Sequence, residues 1–247
     1  MDILYRDSDY VAVHKPAGLL VHRSPIDRHE TEFALQRARD AVGQHVYPVH
    51  RLDKATSGVL LFALSPPAAN AMMLTFARGG VAKRYLAIVR GYAPEAVTVD
   101  HAFVTLPDRI AEPQADPNPA PQPAVTHVVR LATVELPVAV SRYPTSRYSL
   151  VALNPEHGRK HQLRRHLKHI FHPIIGDTTH GEGRHNRMFR TRYQCHRLLL
   201  AATSLSFAQP LSGAAVTIEA APEASFTAVA HALGWNRELS AELDAIP

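Results

Sequence analysis

His50-Arg51-Leu52-Asp53-Lys54-Ala55-Thr56-Ser57-Gly58 is the densest run of chemically capable side chains in the sequence. It stands between two segments that read as strands, Val46–His50 and Val59–Ala63. A polar loop held at both ends by strands is a common seat for catalytic groups. Asp53 has a cation on either side in Arg51 and Lys54. Neighbouring cations keep a carboxylate ionised, as a nucleophile or a base requires. Thr56, Ser57 and Gly58 can hold a tight turn with side-chain and backbone donors. Taken alone, the same run also fits a solvated polar loop.

Working outward, strand patterns outnumber helical ones. Ile3–Tyr5 and Tyr10–His14 alternate around Asp7-Ser8-Asp9, and a short strand is expected at Leu19–His22 after the turn Pro16-Ala17-Gly18. Thr31–Val42 has helical spacing. The next helix is punctuated by Ser65 as N-cap, Pro66 in its first turn and Gly79-Gly80 at its end. Strands are expected at Arg84–Val89, Val125–Leu131 and Tyr148–Leu153. Leu198–Phe207 and Val216–Ala220 should form a hairpin, and Phe226–Leu233 a last helix. The prolines between 107 and 124 mark a surface excursion rather than a linker, because strand patterns resume after them. Many strands with few intervening helices predict an α+β fold with a largely antiparallel mixed sheet and flanking helices.

Composition narrows the function classes. The chain has 247 residues, 46% hydrophobic and 20% charged, enough for a sizeable core. One cysteine, Cys195, excludes an internal disulfide framework and any multi-cysteine metal site, and fits a reducing compartment. No signal-peptide pattern opens the chain. The uncharged runs Ala55–Ala77 and Leu198–Ile218 are broken by proline and polar residues, so neither predicts a membrane span. A cytoplasmic protein is expected. The net charge of +5 suits a phosphate-rich partner without specifying one.

A second segment, Gly158-Arg159-Lys160-His161-Gln162-Leu163-Arg164-Arg165-His166-Leu167, predicts a basic helix over Lys160–Ile170. On a helical wheel Arg164 flanks the apolar stripe of Leu163, Leu167 and Ile170, so its guanidinium can turn inward to a carboxylate. Arg165, Lys168 and His161 lie further out, where phosphates can be met. His157, His161, His166, His169 and His172 lack an H-E-x-x-H pattern, and no metal site is expected from them.

These segments together resemble the RluA-type pseudouridine synthases. HRLDKATSG resembles the family's HRLD-x-x-TSG signature. Lys15-Pro16-Ala17-Gly18, Lys83-Arg84-Tyr85, GRKHQLRRHL at 158–167 and His172-Pro173-Ile174-Ile175-Gly176-Asp177 resemble its other motifs, in the family's order. The resemblance implies the pseudouridine synthase catalytic fold as a single domain over 1–247 with no S4 RNA-binding module. It implies no cofactor, no metal and no obligate protein partner. It assigns Asp53 as nucleophile or base, Tyr85 as the residue stacking on uracil, and Arg164 as the partner of Asp53. Arg51 is expected to reach into the base stack, with His50, Thr56, Ser57, Lys83 and Arg165 as further RNA-binding residues. Leu163 and Leu200 should wall the pocket.

Finer stretches (VHRSPIDRHE at 21–30, QHVYPVHRLD at 44–53, PQPAVTH at 121–127, LATVELPVAVSRYPTSRY at 131–148 and ALGWN at 232–236) resemble a branch acting on tRNA, at uridine 65 in the acceptor-stem region. The alternatives are the same reaction on a ribosomal RNA uridine, or an inert RNA-binding protein on the same fold. Intact Asp53, Tyr85 and Arg164 argue against the latter. His180 and Ala201 stand where the family has a tyrosine and a histidine. Those departures bear on the pocket rather than on the reaction.

Overall fold

The computed structural model describes residues 1–23, 29–104, 116 and 118–244. Its elements run β1 (Ile3–Arg6), β2 (Tyr10–Lys15), α1 (Ala34–Val42), β3 (Tyr47–Pro48), β4 (Ser57–Ala63), α2 (Pro66–Ala77), β5 (Val81–Arg90), β6 (Ala96–Asp100), β7 (Val125–Leu136), β8 (Ser146–Pro155), α3 (Gln162–His169), α4 (Gly183–Tyr193), β9 (Leu200–Ala208), β10 (Ala215–Glu219), α5 (Ala224–Ala232) and α6 (Asn236–Asp244). One mixed sheet carries the order β1-β2-β4-β9-β5-β8-β7-β6, with β3 paired to β4 and β10 to β9. The architecture is α+β.

Helices cover both faces, so the central strands read as continuous apolar runs rather than alternating ones. β4 is buried at every residue. Along β5, Leu86 and Ile88 join the core beneath α4, α5 and α6, with Phe189, Phe226 and Trp235. Ala87 and Val89 face the other way, onto Leu163 and Leu167 of α3. On that same face α1 packs Ala34 and Ala38 against Val11, Val13, Leu60 and Phe62. Tyr85 lies between the α3 and α1 clusters.

The ladders of named strands are antiparallel except one. β4 and β9 run parallel through only Ser57↔Ala201 and Gly58↔Ala202. This short seam joins β1–β4 to the rest of the sheet. Gly58 has φ +113°, and a Cβ there would lie 2.0 Å from the Ala202 carbonyl oxygen, so a side chain would force the seam apart.

Several expectations are corrected. Leu19–His22 is not a strand. The carbonyls of Leu20 and Val21 instead accept from the amides of Ala34 and Leu35, supplying partners that the first turn of α1 needs. Val46–His50 shrinks to β3, where Pro48 has no amide hydrogen for a ladder. Ser57 and Gly58 belong to β4 rather than to the loop before it. α4, α6 and β6 add elements that the periodicity did not announce. Ser65 does cap α2, its hydroxyl accepting from the Ala68 amide. Most of the proline-rich stretch (107–115 and 117) lies outside the described residues, and Phe103 and Gln122 pair near its ends. Among the described residues no helix is long and apolar enough to cross a membrane.

Candidate active site

Arg51, Leu52, Asp53, Thr56, Lys83, Tyr85, Leu163, Arg164 and Leu200 line one cleft. Four parts of the fold meet there: the loop before β4, the middle of β5, the first turn of α3 and the start of β9. The loop is held from behind. Buried Lys15 donates through Nζ to the carbonyls of Pro16 (2.9 Å), Leu19 (2.7 Å) and Lys54 (3.1 Å). Gly18 N donates to the same Lys54 carbonyl at 2.8 Å, and Thr56 N to the Asp53 carbonyl at 3.0 Å. The Lys15–Gly18 motif thus positions the Asp53 loop. Burial outweighs the attraction of Glu223 and brings the Lys15 ammonium down to about 7.

α3 is anchored by Gln162, whose amide donates to the Val125 carbonyl and to Thr126 Oγ1. Its second residue in from that anchor, Arg164, turns inward and its side chain is only 7% exposed. Nε and Nη2 form a two-pronged pair with Asp177 at 2.8 Å each. Nη1 donates to Asp53 Oδ2 at 3.1 Å. Asp177 also accepts from the amides of Thr179 and His180 at 2.9 Å. Burial opposes its ionisation, but Arg164 and these amides overcome that and hold its carboxyl below the usual range. Arg164 therefore arrives at Asp53 already oriented. A close approach lets Asp177 follow in space: Gly176 has φ +82°, and a Cβ there would lie 1.9 Å from the Arg197 carbonyl oxygen.

Asp53 keeps partial exposure, 23% of its side chain. An ion pair at hydrogen-bond distance comes to it from elsewhere in the chain, while Lys54 pairs with Glu30 at 2.9 Å and Arg51 is exposed at the cleft rim. Arg164, distant in sequence, supplies that pair. Burial pushes the Tyr85 phenol well up, and the Asp53 charge adds to this, so Tyr85 is un-ionised at neutral pH. Lys83 donates to the Glu156 carbonyl at 3.1 Å, and burial lowers its ammonium. Leu163 and Leu200 form apolar wall.

Three residues expected at the RNA surface are placed otherwise. His50 stacks on Phe76 and its Nε2 accepts from the Leu61 amide, which fastens the loop to β4; burial lowers it to about 4. Ser57 is buried, and its hydroxyl accepts from Arg197 at 2.8 Å. Arg165 donates to the Val104 carbonyl at 3.0 Å and lies 3.9 Å from the centroid of the Phe103 ring. Asp177 was visible only as part of a motif, and its role needed the fold. Arg197 carried no sequence signal at all. The histidines spread apart: His166 bonds Thr126 and the His101 carbonyl, and His172 the Arg90 carbonyl. Among the described residues no three metal-ligating side chains converge.

A carboxylate fixed through one oxygen, a guanidinium behind it and a phenol in an apolar-walled cleft can act on an anomeric carbon. Breaking a glycosidic bond builds positive charge there, which the anion stabilises. Comparison with known proteins agrees with this chemistry. Residues 9–169 match the family described as RNA pseudouridylate synthase. The chain is 51% identical over 236 residues to tRNA pseudouridine synthase C of Yersinia pestis, covering 96% of this chain and 92% of that one. It is 50% identical to the protein of the same name from Pasteurella multocida, covering 96% and 97%. Among solved structures, human RNA pseudouridylate synthase domain containing 4 superposes with TM-score 0.70 at 26% identity, covering 94% and 92%. Human RNA pseudouridylate synthase domain containing 1 gives 0.67 at 28%, covering 90% and 82%. With its match spanning most of the sheet and all of α3, the chain belongs to the RNA pseudouridylate synthase family.

Proposed function

We propose that this protein converts a uridine of tRNA to pseudouridine, at position 65 in the acceptor-stem region, without a cofactor. The observation that carries the reading is the clamp on Asp53: Arg164 holds Oδ2 at 3.1 Å while the carboxylate remains partly open to the cleft. Near-full-length similarity to proteins named tRNA pseudouridine synthase C supports tRNA as the substrate.

The reaction is an isomerisation. The C1′–N1 bond of uridine breaks, the freed uracil turns within the cleft, and a C1′–C5 bond forms. The C5 proton leaves and N1 gains one. Asp53 either attacks C1′ or removes the 2′ proton to open a glycal. Tyr85 offers a ring for the base to stack on. Arg51 at the rim fills the gap left in the RNA stack, which offsets part of the unstacking cost of a few kcal/mol. Lys83, which lines the cleft, meets the substrate, whereas Thr56, expected to do the same, is only 2% exposed and belongs to the wall of the loop. The protein works in the cytoplasm. Mapping pseudouridine in tRNA and ribosomal RNA from cells with and without this protein tests the reading. Loss confined to tRNA position 65 is expected; loss confined to ribosomal RNA, or no loss, defeats it.

A further inference from the structure

Arg164 is not alone at Asp53. His161 Nε2 lies 3.9 Å from Oδ2, the same oxygen that Arg164 holds. The other ring nitrogen, Nδ1, is 3.0 Å from Nε2 of His180. Two neutral imidazole nitrogens at that distance share one proton. If it sits on His161 Nδ1, a lone pair faces the carboxylate. If it sits on His180 Nε2, the proton of His161 sits on Nε2 and points at Asp53. The anion favours the second arrangement.

The backbone serves this aim. His161 has φ 58°, a left-handed conformation costly for a residue with a Cβ, at the N-cap of α3. Its side chain makes no capping bond to the helix. It is turned to the cleft instead. His180 is set by its amide bond to Asp177, the carboxylate that also orients Arg164. One buried anion therefore fixes both arms that reach Asp53.

We propose that His161, held by His180, is a second positioning residue for Asp53, presenting a neutral N–H to Oδ2 so that Oδ1 alone is left for the ribose. The inference rests on Asp53 being the reacting carboxylate. Asp53, Arg164, Lys160 and His180 face His161; Asp177, Arg164, Lys168 and Arg165 face His180. Burial and the surrounding cations lower both rings, against the pull of the two carboxylates, so both are neutral at pH 7. A second proton would break the N–H···N bond, which places the acid limb of the rate below the ordinary histidine range.

Single-turnover rate and RNA affinity should be measured with tRNA for wild type, D53N, H180F and H180Q between pH 5.5 and 8. H180F should slow the reaction about threefold, the size of an N–H dipole held 3.9 Å from the carboxylate rather than of a full hydrogen bond, at unchanged affinity, with its acid limb moved upward. H180Q, whose amide N–H replaces Nε2–H, should recover most of that loss. Nitrogen NMR of histidine-labelled wild type should find His161 protonated at Nε2 and His180 at Nε2. H180F matching wild type, equal slowing in both His180 variants, or a proton on His161 Nδ1 overturns the proposal. Wild type no more active than D53N defeats the functional reading instead, and the NMR result still decides the hydrogen-bond arrangement.

Discussion

Two buried guanidinium groups organise this molecule, and they are used differently. Arg164 meets two carboxylates, Asp177 at 1% side-chain exposure and Asp53 at 23%. Arg197 meets one, Glu223, and otherwise donates to neutral oxygens: Ser57 Oγ at 2.8 Å, the Leu198 carbonyl at 2.9 Å and the Leu200 carbonyl at 3.2 Å. The first cluster carries a surplus negative charge, left on a carboxylate that faces the cleft. The second is balanced, although Glu223 is as open as Asp53, with 23% of its side chain exposed. A balanced ion pair stitches segments together; an unbalanced one keeps charge in reserve for a reaction.

The sharpest way to break that contrast is at Asp53 and Arg164. Asp53→Asn keeps shape and loses the anion, so turnover should fall about a thousandfold or more with RNA affinity largely kept. A single-turnover rate within tenfold of wild type would remove Asp53 from the chemistry. Arg164→Ala should lose chemistry out of proportion to affinity, and should also cost about 3–5 kcal/mol because Asp177 stays buried without its partner. Denaturant melts and rates on the same preparation separate the two losses.

Arg197→Ala is the mirror experiment. It should cost less stability, about 1–3 kcal/mol from the lost hydrogen bonds, while the rate per folded molecule stays within about threefold. A large loss of rate in a variant that is still folded would erase the distinction between the two clusters.

Lys15 sharpens the balanced side. Its ammonium sits near 7 when folded against 10.5 when unfolded. From pH 7 to 10.5 the unfolded chain holds a proton that the folded chain has lost, so this group's contribution to stability rises with pH. Lys15→Met should be less stable by about 1–3 kcal/mol at pH 7, with carbonyls left short of a donor. Its deficit should widen as pH rises towards 10. A constant deficit across that range would show that Lys15 stays charged in the fold.

The smallest effect is expected at Arg165. Its tie to Val104 and Phe103 leaves it less free for phosphate than an exposed arginine. Arg165→Ala should flatten the log–log salt dependence of RNA binding by less than about one unit, with the chemical step intact at saturating RNA. A full unit would mean that Arg165 leaves Phe103 when RNA binds.

Much of this was legible in the sequence. Asp53 and Arg164 stood out because chemistry concentrates residue types locally, and helical spacing showed which arginine turns inward. The sheet was legible from its apolar runs. What failed shares one cause: partners separated along the chain. Asp177 clamps Arg164 from beyond the helix, and Arg197 reaches back to Ser57. His50 and Ser57 looked polar and available because their partly buried partners, Phe76 and Arg197, are invisible in a linear motif. α4 hid because its sequence is mostly polar and its apolar contact rests largely on Phe189, beneath a cap from Glu182.

The seam between β4 and β9 makes the reacting centre a gauge of mechanical integrity. Asp53 rides on the piece that ends in β4, whereas Tyr85, Arg164 and Leu200 ride on the other. Two residue pairs loaded along the strand direction form a short shear joint, backed by the packing of Tyr10 and Leu61 with Leu205 and Phe207 and by the bond from Arg197 to Ser57. Slippage by one residue, about 3.3 Å in a parallel ladder, would exceed the whole 3.1 Å contact between Arg164 and Asp53. Force, heat or a side chain at Gly58 that loosens the joint should thus silence the enzyme before either piece unravels.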